Sequence, residues 1–238
     1  MTRTRALGLA ILLSLVAGCE GSGDPADALD ADALAQADSL RKDYEAARED
    51  GNWELAEAHA DALRGRFPAA PAAEAIASSL PEVRKQAEAS RETRRLRNLW
   101  TYQSTPVEGG KQRTATLYSR TPPAGEDLPA IEPDAQLVLR DHPSWGRSAY
   151  LLLAQKDFSC PSPCRMEIAF DGGEARSFAG RAADSGKGPA LFIEDEGAFE
   201  DALAQARELR IRLPEGSGRL RLLVFEVGGF APARYAKP

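Results

Sequence analysis

The pattern of apolar and polar positions changes once along the chain, near residue 100. Residues 33–99 are rich in Ala, Glu, Leu, Arg and Gln, which are strong helix formers. Apolar residues recur there at spacings of three and four, and the first such stripe contains Leu34, Ala37, Leu40, Tyr44 and Ala47. This spacing predicts amphipathic helices that pack on one another.

Glycine and proline signals divide this stretch into four helices, with breaks predicted at 51–52, 67–71 and 78–81. The second helix, over 53–66, is expected to turn five side chains inward: Leu55, Ala56, His59, Ala60 and Leu63. A lone histidine on such a face is expected to be a buried, hydrogen-bonded imidazole. The last helix is expected to reach Trp100.

After residue 100, short runs rich in strand-forming residues alternate with turns. Seven of them are typical of strands, at 115–119, 136–140, 148–154, 165–170, 190–193, 208–213 and 219–227. A helix over 197–208 interrupts them, with Phe199, Leu203 and Ala206 on one face. The sequence therefore predicts an α+β fold. A helical hairpin or small helical bundle precedes an antiparallel β-sandwich or half-open barrel with one packed helix.

The first twenty residues have the layout of a secretory signal. Arg3 and Arg5 precede an apolar run over 7–16 that is too short to remain in a membrane as a span. Val16-Ala17-Gly18-Cys19 resembles the bacterial lipobox, which implies lipidation of Cys19 and removal of residues 1–18. Glu20 replaces the aspartate that marks inner-membrane retention in that family, which implies the outer membrane. The alternative is an ordinary signal peptide with a chance cysteine.

These signals predict four segments: a signal peptide over 1–18, a flexible acidic tether over 19–32, a helical segment over 33–99 and a β-domain over 100–238. The formal net charge is −6, so overall charge does not favour binding to nucleic acid or anionic lipid. Membrane attachment is therefore expected to come from the acyl chains on Cys19, and the expected partner is another envelope protein.

Two of the three cysteines lie four positions apart in the stretch FSCPSPC. In an oxidising envelope compartment, Cys160 and Cys164 are expected to form a disulfide that pins a short turn before a strand. A redox pair is the first alternative, although such pairs usually have about two residues between the cysteines. Zinc is the second, but a structural site takes about four ligands, and the two histidines, His59 and His142, are distant in sequence. No metal or cofactor is expected.

The stretch 40–68 resembles a single tetratricopeptide unit. Ala56, Ala60 and Leu63 match the small and apolar positions of its second helix, and Pro68 matches its closing proline. The Leu-Gly pair of the first helix is missing, and a binding groove normally needs about three units. The resemblance therefore implies a helical hairpin without a peptide groove, and a plain helical hairpin remains the alternative.

Charge is divided within the helical region. Residues 24–61 are strongly acidic, whereas residues 62–99 are basic. Such a division indicates either a polarised docking surface or antiparallel helices of opposite charge that attract each other.

Four pieces of the second half occur in a recognisable order: LWTYQ, CRMEIAFDGG, ALFIEDEGAFEDALAQARELRIRLP and LLVFEVGGF. Together they resemble a group of proteobacterial envelope β-domains that includes type VI secretion-associated proteins. The resemblance implies the fold and an envelope role. It does not extend to membership of a secretion machine, because residues 105–109 depart from the group's pattern after the first tryptophan.

The best candidates for catalytic residues in the sequence are Asp141, His142 and Ser144. A hydrolase triad needs an acid that orients the imidazole and an imidazole that reaches the nucleophile, and close neighbours in sequence rarely point at one another. We expect an ordinary turn and no catalytic residues. Nearby, Trp145 and Tyr150 are candidates for a ligand or partner surface, with core or rim packing as the alternative. Residues 171–174 are typical of a hairpin turn and lack the spaced oxygen ligands of a calcium loop.

The sequence thus favours a non-catalytic, lipid-anchored interaction protein of the cell envelope, a scaffold or adaptor. The alternative is a periplasmic module that binds a small ligand in a cleft of the β-domain, with Trp145 and Tyr150 in the lining.

Overall fold

The structure, a computed structural model, describes residues 29–123, 125, 135–153, 163–182, 189–215 and 219–235. The predicted signal peptide, Cys19, most of the predicted tether and Cys160 lie outside the described residues. Helices come first and an antiparallel sheet follows, so the predicted α+β class is confirmed.

Four helices form the first layer: α1 (Ala31–Glu49), α2 (Trp53–Arg66), α3 (Pro71–Ala75) and α4 (Leu80–Leu99). Polar side chains cap the N-termini of the first two helices. The Asp30 carboxylate accepts a hydrogen bond from the Ala33 amide at 2.7 Å, and the Asn52 side chain accepts one from the Leu55 amide. In the part of the chain that the structure describes, no helix is both long and apolar enough to cross a membrane.

Small residues bring α1 and α2 close together. Ala56, Ala60 and Leu63, spaced at i, i+4 and i+7, are fully buried. Leu55 and His59 each lie one position before this stripe, at its edge, so the expectation that both face inward is wrong for Leu55 and too strong for His59. Leu55 is 44% exposed and His59 is half-buried.

The start of the first helix also departs from the predicted stripe. Ala37, Tyr44 and Ala47 are buried as expected, and the Tyr44 hydroxyl lies 2.6 Å from Ser79 Oγ. Leu34 is 42% exposed, because it lies in the first turn of α1 at the margin of the packed surface.

The opposed charges of the helical region face each other across α2 and α4. Three ion pairs join these helices: Glu54 to Arg94 at 2.7 Å, Glu57 to Arg91 at 2.5 Å and Asp61 to Arg84 at 2.8 Å. Exposed pairs of this kind contribute about 0.2–1 kcal/mol each. The charge division therefore serves the packing of α2 on α4, which is the second of the two interpretations.

Nine strands of the described residues form one antiparallel sheet: β1 (Thr101–Val107), β2 (Gly110–Tyr118), β3 (Ala135–His142), β4 (Gly146–Leu153), β5 (Cys164–Phe170), β6 (Arg176–Ala182), β7 (Ala190–Ile193), β8 (Glu208–Glu215) and β9 (Arg219–Glu226). Their spatial order is β1-β2-β3-β4-β7-β6-β5-β8-β9. Just after β2, the Arg120 amide donates to the Val224 carbonyl of β9 at 2.8 Å. The sheet thus curls back on itself without closing, as in a half-open barrel.

Two of these strands are absent from the seven that the sequence predicts. β1 is mostly exposed on both faces, so it has no alternation of apolar and polar residues. β6 places one large apolar residue in the core, Phe178, among arginine, serine and small residues. Both strands form because a neighbouring strand supplies their hydrogen bonds, which no local pattern reveals.

One face of the sheet carries the core, because alternate residues of a strand point to opposite faces. Leu137 and Leu139 of β3 and Leu151 of β4 are fully buried in it. The helix α5 (Glu196–Leu203) packs on this face through Phe199 and Leu203. α5 is shorter than the predicted helix over 197–208.

The helices and the sheet meet where α4 passes the end of β9. The Trp100 indole nitrogen donates to the Val227 carbonyl at 3.1 Å, and the Arg95 guanidinium binds both Glu226 oxygens at 2.7 and 3.1 Å. Gly228 and Gly229, in the turn after β9, lie directly against α4. We call this contact the α4 junction.

Candidate functional site

The outer face of the sheet, opposite the core, carries an unusual group of side chains. On β3 and β4, the core residues Leu139 and Leu151 alternate with Arg140 and Tyr150, which therefore point outward. Phe192 of β7 lies on the same outer face, directly beside Tyr150 in the strand register. Three neighbouring strands thus present a positive charge and two aromatic rings side by side.

The turn between β3 and β4 adds a tryptophan to this group. Trp145 is 69% exposed, yet its ring stacks on His142 with centroids 3.9 Å apart and an interplanar angle of 13°. His142 is 7% exposed, and its Nδ1 accepts a hydrogen bond from the Ser144 amide at 3.1 Å. The histidine therefore holds the tryptophan in place while most of the tryptophan side chain stays exposed.

Arg140 links the tryptophan to the tyrosine. Its guanidinium carbon lies 5.2 Å from the Trp145 ring centroid and 5.6 Å from the Tyr150 ring centroid. Its Nε donates to Ser148 Oγ of β4 at 3.1 Å, which ties the side chain across to the neighbouring strand. Cation–π contacts of this kind orient an arginine without neutralising its charge.

The group continues over two further strands. The Tyr150 and Phe192 rings lie 5.1 Å apart, and Arg181 of β6 lies 4.9 Å above Phe192 while it binds Glu194 at 2.8 Å. Burial raises the pKa of the Tyr150 hydroxyl, an effect that nearby Arg140 opposes. We refer to Arg140, His142, Trp145, Tyr150 and Phe192 together as the outer aromatic cluster. It brings together Trp145 and Tyr150, the two surface residues singled out in the sequence.

Asp141, His142 and Ser144 do not form a catalytic group. Asp141 lies on the core side of β3, where its carboxylate is 3.9 Å from Arg113, whereas His142 lies on the outer side. The acid and the imidazole thus point away from each other, and the contact from Ser144 to His142 uses the backbone amide instead of the hydroxyl. The three residues build the turn that carries Trp145.

A second polar group, which the sequence did not indicate, lies on the core side. The Tyr235 hydroxyl donates to Glu200 Oε1 at 2.5 Å, and Arg147 Nη1 lies 3.7 Å from Glu200 Oε2. Burial raises the pKa of Glu200, an effect opposed by the Tyr235 hydrogen bond and by Arg147. Burial also raises the pKa of Tyr235, and the hydrogen bond to Glu200 adds to the effect. This group fastens the chain after the 3-10 turn Pro232–Arg234 to α5.

The predicted disulfide lies partly outside the described residues. Cys164 begins β5, is 8% exposed and is disulfide-bonded, but Cys160 is not described, so the pairing stays a prediction.

Asp171 has a left-handed backbone with φ of 50°, and its Oδ1 accepts hydrogen bonds from the amides of Arg207 and Glu208. Within the described ranges, no group of three His, Cys, Asp or Glu side chains could hold a metal ion.

An open cavity of about 490 Å³ lies between the β5–β6 turn and α5. Its walls include Phe170, Arg176 and Asp201, and it shares no residue with the outer aromatic cluster. Trp145 and Tyr150 therefore do not line this cavity.

Comparisons with known proteins add little to this description. No family model matches the chain, and no curated protein matches it. Among solved structures, the chain is similar to invasion associated protein B from Bartonella henselae, with 15% identity over 57% of this chain and 87% of that chain. The TM-score is 0.37, at which the likeness supports no conclusion about fold or function.

Proposed function

We propose that this protein is a lipid-anchored, non-catalytic interaction protein of the cell envelope, and that it docks a partner protein on the outer aromatic cluster. The observation that carries the proposal is a tryptophan that is 69% exposed and nevertheless fixed by a ring stack and a cation–π contact. Trp, Tyr and Arg are the residues that contribute most to binding at protein interfaces. A side chain fixed before binding also loses little entropy when a partner covers it.

The shape of the cluster favours a protein partner over a small ligand. Small-molecule sites are concave and enclose most of the ligand surface. The outer aromatic cluster lies on the outer side of the sheet, and its contacts extend from β3 through β4 and β7 to Arg181 on β6. A surface of this breadth suits a partner that lies across strands.

The anchor in this proposal is Cys19, supported by the resemblance of residues 16–19 to the lipobox. We expect Cys19→Ala to lose lipid labelling, because the acyl chains that supply the attachment are bonded to this cysteine. Cell fractionation and labelling with radioactive palmitate measure this. Glu20→Gln, which keeps the cysteine, is the control and should stay labelled in the membrane. Palmitate labelling of Cys19→Ala equal to that of the unaltered protein would contradict lipid anchoring.

Docking is tested by placing a photoreactive phenylalanine at position 145 of the full chain in cells. We expect irradiation to join the protein to one abundant envelope protein, because a ligand on the cluster must cover this position. The matched control carries the same group at Tyr118, which is 64% exposed on the same sheet face but lies outside the cluster. Products at position 145 that do not exceed those at position 118 would refute docking on the cluster.

A further inference from the structure

One arginine of the sheet differs in its partners from the other arginines nearby. On the core side Arg113 faces Asp141 and Arg147 faces Glu200, and on the outer face Arg181 binds Glu194. Over the described residues, Arg140 has no carboxylate partner: its contacts are the Ser148 hydroxyl and the rings of Trp145 and Tyr150. The cluster therefore contains a half-buried positive charge that the described chain holds in place but does not neutralise.

The geometry of Arg140 leaves a defined set of donors for a ligand. The Nε–H is used by Ser148, so the two terminal nitrogens, Nη1 and Nη2, remain for an acceptor. These two nitrogens match the two oxygens of a carboxylate, which an arginine binds through parallel hydrogen bonds. The flanking rings exclude part of the water around the guanidinium, and this strengthens its attraction for an anion.

We propose that the outer aromatic cluster recognises an acidic segment of the partner polypeptide. One side-chain carboxylate binds Nη1 and Nη2 of Arg140, and the adjoining residues lie against the exposed side chain of Trp145 and against Tyr150. This inference rests on the proposed docking function and names the chemistry of the partner. Because no carboxylate of the described residues pairs with Arg140, the cluster presents a local positive charge that is complementary to an acidic segment.

The choice of an acidic peptide as the ligand depends on both the Arg140 guanidinium and the aromatic rings of the cluster. A free phosphate ion would bind Arg140 without needing Trp145. A neutral oligosaccharide would stack on the aromatic rings without needing the charge of Arg140. An acidic peptide uses the guanidinium and the rings together, so substitution of either is expected to weaken its binding.

The test is titration of the purified full-length chain with hexaglutamate, followed by tryptophan fluorescence and calorimetry. We expect saturable binding that weakens about ten-fold or more in Arg140→Gln, since the forked, charge-assisted pair is lost. Arg140→Lys should be intermediate, because lysine keeps the charge but not the fork. Calorimetry should also show weaker binding in Trp145→Ala. Unfolding midpoints equal to that of the unaltered protein show that the variants are folded.

Arg181→Gln is the matched control, since Arg181 also lies over an aromatic ring on this face but is already paired with Glu194. It should change the affinity less than about two-fold, as expected for an exposed, already paired charge. Hexaglutamine, sodium phosphate and maltohexaose are the comparison ligands. Any of them binding as tightly as hexaglutamate overturns the inference, and so does hexaglutamate binding that Arg140→Gln leaves unchanged.

The two proposals fail in different ways. If the photoreactive group at position 145 captures a partner but hexaglutamate does not bind, docking stands and the acidic ligand is wrong. If hexaglutamate binds through Arg140 but position 145 captures no more than position 118, the anion site is real and partner docking on it is wrong.

Discussion

Gly229→Ala should lower the free energy of unfolding by about 3 kcal/mol, the sum of a backbone cost and a packing cost. The backbone of Gly229 is left-handed, with φ of +80°, which costs a residue with a Cβ about 1–2 kcal/mol. An added Cβ would also lie 2.8 Å from the Arg97 amide nitrogen and 2.9 Å from its Cα. Neither is a flexible side-chain atom, so helix α4 itself must move.

Gly172→Ala separates these two costs. Gly172 also has a positive φ, +69°, but a Cβ added there meets no atom within 4 Å. Gly172→Ala should therefore lower the free energy of unfolding only by the backbone cost, about 1–2 kcal/mol. Urea unfolding followed by circular dichroism compares the variants, and limited proteolysis tests whether the α4 junction has opened in Gly229→Ala. An equal decrease in the free energy of unfolding for the two variants would mean that the clash with α4 adds nothing to the destabilisation in Gly229→Ala.

Tyr235→Ala should lower the free energy of unfolding by about 3–5 kcal/mol, the range observed when a large buried ring is removed. Tyr235 is fully buried, its ring centroid is 5.9 Å from that of Phe230, and its hydroxyl binds Glu200. Tyr235→Phe keeps the ring and removes the hydroxyl, so the buried Glu200 carboxyl loses its donor at a cost of about 1–3 kcal/mol. Thermal and urea unfolding measure both losses.

Tyr118→Ala is the control for the tyrosine series. Tyr118 is 64% exposed, so its truncation should change the free energy of unfolding by less than about 0.5 kcal/mol. If Tyr235→Phe proves as harmless as Tyr118→Ala, the hydrogen bond to Glu200 does not stabilise the fold. If Tyr235→Phe is as damaging as Tyr235→Ala, the hydroxyl matters more than the ring.

The parts of the fold that the sequence predicts are those with local periodicity. Ala56, Ala60 and Leu63 follow helical spacing and are buried, and Met166 and Ile168 follow strand alternation and are buried in the sheet core. Leu34 and Leu55 have the same apolar character but lie at the margin of the packed surface, so periodicity alone overestimates their burial.

The parts that could not be predicted depend on partners that are distant in sequence. Glu200 and Tyr235 are 35 positions apart, and only the packing of α5 brings them together. The cluster lies between these extremes. Trp145 and Tyr150 are visible in the sequence as near neighbours. The position of Arg140 between their rings follows from the alternation of residues in β3 and from the turn that brings Trp145 back over that strand.

The α4 junction also determines the order in which the molecule can fold. The Trp100 indole bonds to a carbonyl 127 positions later, and Arg95 pairs with a carboxylate 131 positions later. Contacts that close such long loops form late, because the entropy of loop closure is lost before they contribute. The helices can assemble early from local contacts, but they cannot dock on the sheet until β9 has emerged. We therefore expect the helical layer to stay undocked from the sheet until the last strand of the chain is available.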